Sequence, residues 1–237
     1  MGKISDLQRD YLAEIYLARQ MQPTGKDDVV SSADLAERLH ASQSTVNRVI
    51  ERLRKANLIR HQRYVGVQLT PSGKREALAL LCKQGIIEAF LVAVMGMGWH
   101  EVYDEARRMR HRVAGVLLDR MWQMAGQPTS SPFGEPLTLD AVADDAEVRL
   151  TDADTTQDYR IARVLTRESD RLQYLAALGL TPGTHLHLLH QAPFNGPIQI
   201  HLEREYRIIG HGLARMLTVI PGTELRDREQ DFNTRES

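Results

Sequence analysis

The stretch Ser32–Arg75, SADLAERLHASQSTVNRVIERLRKANLIRHQRYVGVQLTPSGKR, decides the architecture of the N-terminal part of the chain. Ala33, Leu35, Ala36 and Leu39 recur at helical spacing and predict one short helix. His40-Ala41-Ser42 leaves room only for a turn. A second helix begins at Ser42 or Gln43, with Val46, Val49, Ile50 and Leu53 as its buried stripe. Its opposite face carries Gln43, Ser44, Thr45, Asn47, Arg48 and Arg52, side chains of the kind that read base edges and phosphates. Leu58, Ile59, Val65, Val67 and Leu69 then predict two short strands around Gly66. Helix, turn, helix and basic hairpin in this order make a winged helix-turn-helix, a DNA-reading head.

Charge placement agrees. The formal net charge is −1, but it is unevenly spread. From Arg48 to Arg63 the cations Arg48, Arg52, Arg54, Lys55, Arg60 and Arg63 face Glu51 alone, a footprint suited to phosphates. Acidic residues gather elsewhere, as in Asp140–Asp145. Within the recognition helix, Gln43, Ser44, Asn47 and Arg48 lie near the end that reaches base edges. Ser42 and Thr45 suit the backbone or thymine methyl groups, and Arg52, Arg60, Arg63 and Lys74 suit phosphates.

Outward from the head, Ile4, Leu7, Tyr11, Leu12, Ile15 and Tyr16 form a helical stripe, so the chain opens with an amphipathic helix. Pro23–Asp28 reads as a loop. After the hairpin, Pro71-Ser72-Gly73 starts a long helix from about residue 74 to 95, ended by Gly96-Met97-Gly98. Further helices are expected from about 99 to 106 or beyond and from about 107 to 124. Gly126–Pro136 is a proline- and glycine-rich loop and the clearest boundary on the chain. From Val148 onward, short segments rich in branched residues (148–150, 161–165, 185–191, 198–202, 206–209, 216–219) alternate with turn signals. They predict a small barrel-like β domain with one helix near Asp170–Leu178. The fold class is therefore α+β, divided as a DNA-binding domain at 1–75, a helical domain at 76–139, a linker at 140–147, a β domain at 148–225 and a disordered tail at 226–237.

The totals exclude several classes. A chain of 237 residues with 42% hydrophobic and 26% charged residues is ordinary for a soluble globular protein. No apolar run approaches the roughly 20 residues needed to span a bilayer, and the start is amphipathic rather than a signal sequence. Cys82 is the only cysteine, so no intrachain disulfide forms, which fits a reducing cytoplasm; the residue reads as a small buried hydrophobe. There is no glycine-rich phosphate loop, no HExxH and no nucleophile elbow, so nothing supports an enzyme. A protein-interaction adaptor that keeps a winged helix without binding DNA is the remaining rival. His185 and His187 sit at strand spacing with His201 opposite, a pattern read as cross-strand packing.

In order and spacing the chain resembles the diphtheria-toxin-repressor and manganese-transport-regulator (DtxR/MntR-like) family over nearly its whole length. The residues that carry the resemblance are Asp10-Tyr11-Leu12…Ile15-Tyr16, the winged helix with Leu69-Thr70-Pro71-Ser72-Gly73, and Glu88…Phe90-Leu91. It continues through Glu101–Ala106…His111, Ser131–Pro136, and Leu178-Gly179-Leu180…Pro182-Gly183. The family implies a homodimeric transcriptional repressor of metal-uptake or related genes, acting on a palindromic double-stranded DNA operator. It implies a dimerisation domain after the wing, a C-terminal SH3-like (FeoA-like) β-barrel, and Mn(II) or Fe(II) as the activating ion.

Carried over residue by residue, that resemblance places metal-site remnants at Asp10, Glu88, Glu105, His111 and Glu168. A glutamate of the manganese regulators falls on Ala13. Two ligand positions beside His111 fall on Arg107 and Arg110, two histidine positions on Gln84 and Tyr103, and a glutamine position on Arg171. A guanidinium offers a metal no lone pair. Three readings stand open: Arg107 and Arg110 replace the metal by pairing with Asp10, Glu88 or Glu105; the metal moves to the four-apart pairs His100/Asp104 and Glu101/Glu105 with His111; or the protein answers another small molecule.

Overall fold

The computed structural model describes residues 4–22, 29–62, 65–138, 146–202 and 205–222. The expected loop Pro23–Asp28, Arg63, the acidic Asp140–Asp145 and the expected tail lie outside these residues. The chain divides into two compact units, residues 1–97, 102–131 and 136–140 in the first, and 98–101, 132–135 and 141–237 in the second.

The first unit opens with α1 (Asp6–Met21), begun by a capping box in which the Ser5 hydroxyl accepts from the Gln8 N–H and the Gln8 side chain accepts from the Ser5 N–H. α2 (Ser32–Arg38) and α3 (Gln43–Lys55) are capped by Ser31 and Ser42, each satisfying a backbone donor that the first turn leaves open. The turn between them runs through His40, at φ 48°. The expected wing is β1 (Ile59–Gln62) paired antiparallel with β2 (Gly66–Leu69). Gly66 is the first residue of the second strand rather than part of a turn, and just before it the Val65 N–H donates to the Gln62 carbonyl. Val30 adds a bridge to Val67, with hydrogen bonds of 2.8 and 2.9 Å, a third edge the sequence did not announce.

One core unites these elements. Tyr11, Leu12 and Ile15 of α1 pack with Leu35, with Val46, Val49, Ile50 and Leu53 of α3, with Leu58, Ile59 and Val67 of the wing, and with Ala77. Ala77 belongs to α4 (Pro71–Ala93), whose start explains the Thr-Pro-Ser-Gly motif. Thr70 is the N-cap, accepting from the Gly73 N–H at 3.1 Å and donating to the Asn57 carbonyl. Pro71 occupies the first turn, where its missing N–H costs nothing. At Gly73 a Cβ would sit 1.9 Å from the Leu58 carbonyl oxygen, so glycine lets α4 start against the wing.

Beyond α4, α5 (Val102–Met109) and α6 (Gly115–Met124) differ from the expected boundaries. Residues 99–101 form a turn, with the Glu101 N–H on the Gly98 carbonyl. The break between the helices falls at residues 110–114 rather than after Ala106, because Arg110 and His111 turn toward α1 at the end of α5.

The second unit is one antiparallel sheet of β3 (Val148–Arg149), β4 (Gln157–Val164), β5 (His185–Gln191), β6 (Ile198–Leu202), β7 (Glu205–Ile209) and β8 (Leu217–Pro221), in the order β3-β8-β4-β5-β6-β7. Bulges between Ile161 and Arg163 and between Leu188 and His190 bend the long strands. β4 begins four residues earlier than the branched run suggested, since Gln157–Arg160 pair with β5 despite their polarity. The expected helix is α7 (Ser169–Ala177), and a single turn, α8 (His211–Ala214), follows β7. Segments 98–101 and 132–135, expected with the helical domain, belong here. Trp99 stacks on Phe133 at 5.6 Å, and the Phe133 carbonyl accepts from the Val164 N–H. Gly134, at φ +87°, is required because a Cβ would meet the Ala162 carbonyl oxygen at 2.0 Å.

Candidate functional site

α3 presents the side chains the sequence singled out for nucleic acid. Its stripe Val46, Val49, Ile50 and Leu53 is buried to 1% exposure or less, which leaves Gln43, Ser44, Asn47, Arg48 and Arg52 exposed on the other faces and Thr45 half-buried. The first turn is ordered by its own polar groups. Ser42 Oγ accepts from the Thr45 N–H and lies 3.0 Å from both Ser44 Oγ and Thr45 Oγ1. Gln43 Nε2 donates to Ser32 Oγ at 2.8 Å and to Asn47 Oδ1 at 3.2 Å. Its amide is thus held between the two helices of the pair.

The cationic footprint is narrower than its sequence count. Arg54 bonds Glu51 in a bidentate pair at 2.8 and 2.9 Å, and Lys55 lies 3.8 Å from the same carboxylate. The Arg54 hydrogen bond and charge hold the Glu51 carboxyl below its usual range, and Lys55 and His61 add to the effect. Arg48, Arg52, Arg60 and Lys74 are exposed and make no ion pair among the described residues. These four are open to phosphates. Arg48 also acts on Tyr11 behind it: burial pushes the Tyr11 phenol up, and the arginine charge partly opposes that.

A second polar site lies inside the same unit. Arg110, 1% exposed, is among the largest fully buried side chains of the protein. Its N–H closes the last turn of α5 on the Ala106 carbonyl. From there Nη1 donates to Gln84 Oε1 and Nη2 to Asp10 Oδ1, both at 2.5 Å. Gln84 Nε2 donates in turn to Glu88 Oε1 at 2.7 Å, within α4. His111 Nε2 lies 2.6 Å from the same Asp10 oxygen, and its Nδ1 lies 3.5 Å from Asp6 Oδ1. Three helices are tied at one point: α1 through Asp10, α4 through Gln84, and α5 through Arg110. Arg110 Nε is buried without a hydrogen-bond partner.

Of the positions carried over from the family, Asp10, Gln84, Glu88, Arg110 and His111 come together here. The others do not. Glu105 is bonded to Arg108 on the exposed face of α5. Arg107, half-buried on α5, makes no ion pair among the described residues. In the second unit Glu168 pairs with Arg171 at 3.0 Å, its side chain 60% exposed. His100 and Glu101 precede α5, while Asp104 and Glu105 lie in its first turn. Sequence reasoning missed Gln84, which it read only as a lost histidine, and Asp6. The signal for Asp6 was its four-residue spacing from Asp10 on α1.

The divalent cation that the resemblance implies does not fit this donor set. Arg110 already occupies Asp10 Oδ1 and Gln84 Oε1. Two unit charges 4 Å apart repel by about 4 kcal/mol at an effective dielectric near 20, and a divalent ion about doubles that. Among the described residues no three of His, Cys, Asp and Glu converge as a metal-holding group. Two histidines of the β sheet have cross-strand partners: His187 Nδ1 lies 2.7 Å from Asp158 Oδ1 across β4 and β5, a polar pair rather than packing, and the His201 ring sits 4.7 Å from Tyr206.

Comparison with known proteins covers almost all of the chain. Residues 3–67 match the family described as iron dependent repressor, N-terminal DNA binding domain. Residues 70–138 match the iron dependent repressor, metal binding and dimerisation domain, and residues 148–221 match the FeoA domain. The iron-dependent repressor IdeR of Mycobacterium leprae is 32% identical over 137 residues, covering 58% of this chain and 57% of its own length. The chain thus spans little more than half of that relative. The diphtheria toxin repressor of Corynebacterium efficiens is 25% identical over 190 residues, covering 75% of this chain and 83% of its own. Among solved structures, a manganese-dependent transcriptional repressor in complex with manganese superimposes with a TM-score of 0.80 at 29% identity, covering 91% of this chain and all of that one.

Proposed function

We propose, since this chain belongs to the diphtheria-toxin-repressor and manganese-transport-regulator family of metal-dependent transcriptional regulators, that it is a sequence-specific DNA-binding repressor acting as a homodimer on a palindromic operator in the cytoplasm. The family is not enzymatic, and among the described residues no helix is long and apolar enough to cross a membrane. The observation that carries the proposal is the exposed polar end of α3, ordered by Ser42 and Gln43 and backed by a fully buried stripe.

An α-helix fits the major groove, and a recognition helix reads bases with its N-terminal residues. Gln43, Ser44, Asn47 and Arg48 occupy that end. Arg52, Arg60 and Lys74, with Arg63 by sequence, are the phosphate contacts that fix register. A dimer is supported by apolar side chains that one chain leaves uncovered in the part matching the dimerisation domain: Val116 is 84% exposed, Leu117 50% and Met124 52%. Two copies of a head related by a two-fold axis meet a palindrome.

The test is selection of bound sequences from a random duplex pool by the full chain, followed by titration. A palindromic sequence is expected. Arg48→Ala should weaken binding to it by about 1–3 kcal/mol and relax preference at one position. Arg60→Ala should weaken selected and random duplex alike and lower the salt slope by about 1. Equal losses on both duplexes for Arg48→Ala would remove its base-reading role. If the pool yields nothing, the chain is an adaptor that keeps the fold without the activity.

A further inference from the structure

Asp10 joins the buried arginine site to the DNA-reading head. Its sequence neighbours Tyr11 and Leu12, and Ile15 farther along α1, lie in the core that also holds Val46, Val49, Ile50 and Leu53 of the recognition helix. A force that fixes Asp10 against α4 and α5 therefore fixes the surface on which α3 rests. The side chain that fixes it is Arg110, which reaches α1 and α4 at once from the end of α5. Removing a partner from such a pair leaves a buried charge uncompensated, so the geometry is enforced strongly even where the net stabilisation is modest.

The polarity of the neighbours is arranged for a cation at this point. Gln84 turns its amide oxygen to Arg110 and its amide nitrogen to Glu88. Asp10 Oδ1 faces both Arg110 and His111. A guanidinium carries fixed charge and five N–H donors in a planar fork, and neither depends on ion supply.

We propose that Arg110 is a resident cation that takes over the positioning work of the family's metal, so that this protein holds its DNA-reading conformation without Mn(II) or Fe(II). The proposal rests on the DNA-binding reading above and concerns only its control. Arg110 is a positioning residue: it touches no DNA and acts through Asp10 and α1. Arg107, equally a departure from the family, has no part in it.

The experiment uses the full chain and its selected operator duplex, titrated in chelator and again in buffer containing Mn(II) alone. Wild type is expected to bind equally in both. Arg110→Gln should lose affinity in both by a factor within the roughly 5–150-fold span of allosteric couplings. Arg110→Glu should bind weakly in chelator and regain affinity with Mn(II), because its carboxylate joins Asp10, Glu88 and His111 as oxygen and imidazole donors. A side chain with a merely structural role gives no such manganese rescue. Circular dichroism and melting establish that each variant is folded. If Arg110→Gln is not, Asp10→Asn, which keeps the arginine and weakens the tie, should still lose affinity in chelator. Wild type that needs Mn(II) to bind overturns the proposal, as does full affinity of Arg110→Gln, or of Asp10→Asn, in chelator. Selection that yields no sequence in either buffer overturns the DNA-binding reading itself, a different result from metal-dependent selection.

Discussion

Two arginine networks, one in each unit, invite comparison. In the second unit Arg163 bonds Glu147 at 2.6 Å and Glu135 at 3.2 Å, and Arg167 reaches Glu135 at 3.4 Å while lying 4.3 Å over the Phe133 ring. Those arginine side chains are 11–12% exposed, and carboxylates and an aromatic face meet them on several sides. In the first unit Arg110 is 1% exposed, shares Asp10 with His111, takes a neutral amide as its other acceptor, and leaves Nε without a partner. The Arg163 network is matched in charge, suited to holding a loop segment on β4. In the Arg110 network the guanidinium itself is buried and under-supplied with acceptors, so it tolerates little displacement of the helices that feed it. One arginine fastens; the other positions.

The largest effect expected from breaking this comparison is on stability. Arg110→Leu leaves Asp10 without its main partner and should cost about 3–5 kcal/mol in urea unfolding. Adding Asp10→Asn should recover part of that, since residues in one network do not contribute additively. Full additivity would mean that the two side chains do not act together. Arg163→Leu should cost less, about 1–3 kcal/mol, because Arg167 still reaches Glu135. An equal or larger loss there would erase the distinction drawn between the networks.

The smallest effect concerns two tyrosines that extend the same contrast. The Tyr11 hydroxyl is buried without a hydrogen-bond partner, whereas the Tyr159 hydroxyl donates to the Asp154 carbonyl. Tyr11→Phe removes an unpaired buried hydroxyl, so at neutral pH it should leave stability unchanged or raise it by about 1 kcal/mol. Burial raises both phenols above their ordinary value of 10.0. A raised value in the folded state means full stability below pH 10, lost as the pH climbs through the folded value. Melting above pH 10 should show that loss in wild type and a shallower one in Tyr11→Phe. Identical alkaline profiles would show that Tyr11 ionises as freely in the fold as out of it.

Local patterns carried the head. The serine caps at 31 and 42, the stripe Val46–Leu53 and the Thr-Pro-Ser-Gly start of α4 are short-range signals, set by helix geometry within a few residues. The buried arginine site was legible only in part. Asp10, Arg110 and His111 stood out against the family, but Arg107 and Arg110 looked equivalent because both sit one turn apart in a charged segment. What separates them is where α5 ends, and helix ends are set by tertiary contacts. Gln84 was invisible for a related reason: a glutamine inside an apolar helix gains meaning only from partners 26 residues away and on its own next turn. The Arg163 clip to Glu135 and Glu147 likewise joins residues 28 and 16 positions apart, beyond any periodicity.

The Arg110 guanidinium has a kinetic corollary. An ion bound from solution has an off-rate and a half-saturating concentration; a cation on the chain has neither. Its local concentration at Asp10 is set by the few bonds of one side chain, with no translational freedom to lose when it seats. The knot therefore opens only when the last turn of α5 frays or α1 swings away, a local unfolding event governed by backbone hydrogen bonds such as Arg110 N–H to the Ala106 carbonyl. Amide hydrogen exchange at that turn would read the free energy of this opening.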